Sequence, residues 1–106
     1  MENLKIEVHK GFINHYPCHV VEVDKGEKLF FENFRSEVDA KIAAVIITEL
    51  ANVDTDNFKS AKVFGGDGVV LIRYRSDNDF VYKKAQCENK DSASAISHLI
   101  ANLQED

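Results

Sequence analysis

The stretch Ser36–Asn52, SEVDAKIAAVIITELAN, is where the hydrophobic period of this chain changes. Val38, Ile42, Val45, Ile46 and Leu50 recur at steps of three and four, which marks one face of a helix. Ser36 is followed three residues later by Asp39, a capping-box pattern in which a hydroxyl accepts a free N–H of the first turn. Ala43, Ala44 and Ile47 widen the apolar surface. A helix this apolar is either sunk in a core or shared with a second subunit. The breadth of the surface predicts a homodimer through the Val38–Leu50 helix.

Upstream the period is two. In LKIEV, Leu4, Ile6 and Val8 share one side and Lys5, Glu7 and His9 the other, as in a half-buried strand. His9–Gly11 is expected to turn or bulge the chain. Pro17 is expected to punctuate it, since proline cannot donate to a sheet ladder. CHVVEV and KLFFENF read as strands joined by a tight turn at Gly26. Downstream, Asn52–Asn57 is a polar loop, and FKSAKVF and VVLIRYR are strands joined by GGDG. The turn SDND leads into a further strand, FVYKKAQ. Asp91 is placed to cap a last helix with the stripe Ile96, Leu99, Ile100 and Leu103.

These elements predict a single α+β domain over residues 1–106, in two layers. An antiparallel sheet of five to six strands would carry two helices on one face. Each half is a meander followed by a helix, so a (βββα) unit used twice is expected, with halves 1–52 and 53–106. A shift of 50 residues places Phe30 on Phe80, Ala43 on Ala93 and Ile46 on Ile96. The expected core draws on Leu4, Ile6, Val8, Val21, Val23, Phe30, Val38, Ile42, Val45, Ile46, Leu50, Val63 and Leu71, with the last helix stripe.

The chain has 106 residues, enough for one core without staples. Its net charge of −5 is spread along the sequence, which disfavours nucleic acid at long range. No stretch approaches the ~20 apolar residues of a membrane span. MENLKIEV lacks the apolar core of a signal peptide, so a cytoplasmic location is expected. Cys18 and Cys87 are expected as free thiols.

The stretch His15–Val23, HYPCHVVEV, raises metal binding and Cys/His catalysis. Zinc needs four converging ligands, and adjacent residues on a strand diverge, so Cys18 and His19 cannot serve one ion. No metal and no cofactor is expected. Nucleophilic catalysis would need a lowered thiol pKa and an oxyanion site, and no nucleophile elbow is present. Cys87, just before a helix, is the other thiol of interest. FGGDGVV leads into a strand, not a helix, so it reads as a hairpin and not as a phosphate loop. Glu22, Asp24, Glu27 and Glu32 raise phosphate mimicry, for which −5 is a modest charge. Arg73 and Arg75 share a strand face, with Tyr74, Tyr82 and Lys83 close by. On an uncovered sheet they would form a contact surface. The reading reached is a small acidic, non-enzymatic protein-binding module of inhibitor, immunity or adaptor type, with Arg73, Tyr74, Arg75, Tyr82 and Lys83 as the partner-binding residues. The alternative is a small enzyme or ligand-binding domain around Cys18, His19 and His15. Weaker still is single-stranded nucleic acid binding through the Arg73/Arg75 strands.

Overall fold

A computed structural model describes residues 4–53 and 62–104, with the backbone alone for 62–66. The order is β1 (Lys5–Ile13), β2 (Tyr16–Asp24), β3 (Leu29–Phe34), α1 (Glu37–Ala51), β4 (Lys62–Gly66), β5 (Val69–Ser76), β6 (Asp79–Gln86) and α2 (Lys90–Gln104). The class is α+β, as expected. The single sheet is not: the strands form two separate three-stranded antiparallel sheets, β1-β2-β3 and β4-β5-β6. Among the described residues, ladders form only between strands joined by short turns. The chain leaves β3 into α1 within two residues and pairs again only after that helix. The expected loop and strand start over residues 54–61 lie outside the described residues.

Ile13 faces Tyr16 across a two-residue turn in which Asn14 (φ 48°) and His15 (φ 73°) both have positive φ. That is the twisted hairpin turn that matches the twist of its strands. Gly66 and Val69 close the second such turn, over Asp67 (φ 52°) and Gly68 (φ 82°). β1 runs unbroken to Ile13, so the turn expected at His9–Gly11 is absent. Gly11 serves close packing instead: a Cβ there would lie 3.3 Å from a Val20 methyl. Pro17 sits inside β2, opposite Phe12. In a two-residue hairpin the closing pair is hydrogen-bonded and the next pair is not, so Pro17 turns its missing N–H away from β1. β3 joins β2 only from His19 onward, so no ladder bond is lost on that side either.

One core joins both halves. Val21, Val23, Phe30 and Phe34 of the first sheet and Val70 and Ile72 of the second meet buried faces of α1 and α2. α1 buries Ala40, Ala43, Ile46, Ile47 and Leu50. Its inward face is thus rotated from the expected one: Val38 is 50% and Val45 58% exposed, and Ile42 is half-buried. The two alanines, fully buried, let neighbouring backbones approach closely, which β-branched residues at those sites would prevent. Val8, on the outer strand, is exposed, and Leu71 is half-buried because it points away from the side taken by Val70 and Ile72. Val63 lies outside the described side chains.

The helix starts are joined. Ser36 caps α1 as predicted, its Oγ accepting the Asp39 N–H at 3.2 Å. The Asp39 carboxylate does not fold back to complete the box. It crosses to α2, accepting from the N–H groups of Glu88 (2.7 Å) and Asn89 (3.0 Å) and from the Ser92 hydroxyl (2.6 Å). The Ser36 hydroxyl donates to the Glu88 carboxylate. Asp91, the expected cap, lies inside the first turn of α2; the acceptor comes from Asp39. At the other end of α2, Lys25 and Lys28 donate to the carbonyls of Leu103 (3.1 Å) and Asn102 (3.4 Å), which have no partner within a helix end.

Candidate functional site

The ladder of β5 and β6 decides which expected contact residues share a face. Val70 and Ile72 are buried, so Leu71, Arg73 and Arg75 point to the other side of that sheet. Arg73 faces Tyr82, Arg75 faces Phe80 and Leu71 faces Lys84. The guanidinium of Arg73 lies 4.9 Å from the centre of the Phe80 ring, and that of Arg75 lies 6.0 Å from it. Phe80 is 53% and Tyr82 59% exposed, so this sheet face is open. Each arginine–ring contact contributes on the order of 0.5–1 kcal/mol at an exposed site. The Nε of Arg73 is shielded from solvent and makes no hydrogen bond among the described residues. Neither arginine has an ion pair among them.

Of the five expected residues, Arg73, Arg75 and Tyr82 therefore stand together. Tyr74 lies on the opposite side and packs against the core. Lys83 also faces the helices, opposite Ile72, with Nζ 3.6 Å from the Glu49 carboxylate. Phe80, the ring on which both arginines rest, was missed. The signal was available: a two-residue turn over Asp77 and Asn78 sets Ser76 against Asp79 and hence Arg75 against Phe80.

A second surface runs along α1. Val38, Lys41, Ile42, Val45 and Glu49 line an open groove of about 430 Å³, closed on its far side by Lys83, Lys84 and Ala85 of β6. Its floor is apolar and its rim charged. Lys41 pairs with Glu37 at 2.9 Å and holds that carboxyl below the usual carboxylate range, through the hydrogen bond first and the positive charge second.

The residues behind the catalytic alternative do not converge. Cys18 faces Gly11 and is buried away from the main core, His19 points to the opposite side of β2, and His15 sits in the hairpin turn. Cys18 lines a cavity of about 550 Å³ with Ile13, Tyr16, Pro17 and Arg35. Burial pushes the Cys87 thiol pKa up, and the Asp39 charge adds to the shift. Asp67 and Gly68 form the turn of a hairpin, so the glycine-rich run leads into β5 and not into a helix. The acidic residues of the first hairpin disperse. Asp24 holds the Gly26 N–H, while Glu32 pairs with His98 at 3.3 Å.

Among the described residues one group of three metal-ligating side chains does converge: Glu7, His9 and Glu22. His9 Nε2 lies 2.9 Å from Glu22 and 3.1 Å from Glu7. Strand alternation puts Glu7 and His9 on one side, and the β1–β2 register sets Glu22 opposite Glu7. Three donors, two exposed and one half-buried, are one short of a closed zinc site.

No protein-family model and no curated protein matches this chain. Among the described residues no helix is long and apolar enough to cross a membrane.

Proposed function

We propose that the chain is a small, non-enzymatic protein-binding module that docks an acidic surface of a macromolecular partner through the open face of the β4-β5-β6 sheet. The observation that carries this reading is the pair Arg73 and Arg75 resting on Phe80, with Tyr82 beside them. Aromatic rings and arginine are the residue types that dominate protein interfaces. A guanidinium held against a ring loses little further freedom on meeting a carboxylate. Inhibitor, immunity and adaptor proteins all work by such docking.

The test is capture of partners from cells of the native host. Proteins held by the wild-type chain should be lost from a resin carrying Arg73→Ala, Arg75→Ala and Phe80→Ala together, and kept by one carrying Lys5→Ala. An identical set on both resins refutes the placement. Steeply salt-dependent binding of an oligothymidylate would instead favour the nucleic-acid reading. A cysteine that outpaces a model thiol near neutral pH would favour the enzymatic one.

A second reading follows from the groove: α1 is the face through which two copies pair. Its apolar residues are half exposed or more at Val38 and Val45, and the mass in solution checks it.

We also infer that the fold is two βββα units in a two-layer arrangement, related by an offset of 53 residues and not 50. The bounds of α2 lie 53 beyond those of α1, from Glu37 to Lys90 and from Ala51 to Gln104. Buried positions follow the same step: Asp39 to Ser92, Ala40 to Ala93, Ala43 to Ile96, Ile46 to Leu99, Ile47 to Ile100 and Leu50 to Leu103. His9 faces Val20 as Lys62 faces Arg73, and the positive-φ pair Asn14–His15 maps onto Asp67–Gly68. The thinnest dimension, 16 Å, fits one layer of helices on one of strands.

A further inference from the structure

We propose that α1 pairs with α1 of a second copy, antiparallel and centred on Val45, so that Lys41 of each copy meets Glu49 of the other. This rests on the self-pairing reading of α1 and supplies its contacts.

A two-fold interface uses the same patch twice, so that patch must complement itself. The groove face of α1 does. Val45 stands at its middle and is more than half exposed. Lys41 lies four residues before it and Glu49 four after, and all three line the same groove. In an antiparallel pair about Val45, the residue four before meets the residue four after, at both ends. A parallel pair would set Lys41 on Lys41 and Glu49 on Glu49. The charge pattern therefore selects one orientation and one register.

The neighbouring charges extend each contact. Lys41 already pairs with Glu37 at 2.9 Å, and Glu49 with Lys83 at 3.6 Å. Bringing Lys41 of one copy to Glu49 of the other links Glu37, Lys41, Glu49 and Lys83 into a row of alternating sign. Two such rows flank the valines. Networks of this kind hold a register better than isolated surface pairs do. Val38 and Ile42 line the same groove, so its apolar floor continues past Val45.

The experiment is sedimentation equilibrium from roughly 1 μM to 1 mM. The wild-type chain should show a dimer mass at the upper end. Val45→Glu, which sets two like charges on the axis, should be monomeric while keeping the wild-type circular dichroism. Lys41→Glu alone and Glu49→Lys alone should each raise the dimer Kd by about tenfold or more. An equimolar mixture of those two variants, and the chain carrying both changes, should dimerise like the wild type. A dimer whose Kd ignores both single swaps refutes this register while leaving self-pairing in place. A monomer at every concentration refutes both.

Discussion

Replacing Asp39 by alanine tests whether one buried carboxylate holds the two helix starts together. Asp39 has no exposed surface and accepts from two backbone N–H groups and one hydroxyl. In Asp39→Ala the Ser92 hydroxyl can turn elsewhere, but the N–H groups of Glu88 and Asn89 cannot. Each of these part-buried donors, left without its acceptor, costs about 1 kcal/mol. With the lost charge-assisted bond to Ser92, the total is about 3–5 kcal/mol, a large share of the ~5–15 kcal/mol of a typical domain. For a chain of this size the melting midpoint should fall on the order of 15–20 °C. Urea unfolding followed by circular dichroism measures the loss. Combining Asp39→Ala with Ser92→Ala should give a coupling above about 0.5 kcal/mol, since the two side chains are bonded directly. A single-variant loss below about 1 kcal/mol, or strict additivity in the double variant, would show that the junction is not where the helices are fastened.

Four more outcomes are expected. Cys87 has its folded pKa raised, so it keeps its proton while the unfolded thiol ionises. Stability should fall as pH rises through the ordinary thiol range, and Cys87→Ala should flatten that part of a stability–pH curve measured by urea unfolding. Gly68→Ala should cost about 2–3 kcal/mol of unfolding free energy, because φ is +82° and a Cβ would sit 3.0 Å from the Cys87 carbonyl oxygen. Gly26→Ala, at φ +89° with open space around it, should cost only about 1–2 kcal/mol in the same assay. Arg73→Ala and Arg75→Ala should each change stability by no more than about 1 kcal/mol, since what they lose is a contact with an exposed ring.

The element types were legible because their periods are strong. Alternation in Leu4–Val8 gave β1, the three–four spacing gave both helices, and Gly26 marked a turn with φ +89°. What failed was whatever depends on a partner. Asn14 and His15 carry no glycine, so the first tight turn was hidden, and Pro17 looked like a break because its neighbours were unknown. The inward face of α1 was misjudged by centring it on the bulky Val38 and Val45. Packing selected Ala40 and Ala43 instead, where closeness matters more than transfer energy. The contact face was half legible. Alternation joined Arg73 to Arg75, but Phe80 needed the register across the Asp77–Asn78 turn. The capping box announced Asp39, yet nothing local could tell that its carboxylate would serve a helix more than forty residues away.

The bond between Asp39 and Ser92 joins the third residue of α1 to the third residue of α2. If the halves are the repeat units proposed above, a first half left to mate with its own kind would set two aspartates against one another in a dry seam. Swapping one of them for a hydroxyl turns a repulsion into a clasp. Fragments divided between α1 and β4 should accordingly recognise each other in preference to themselves.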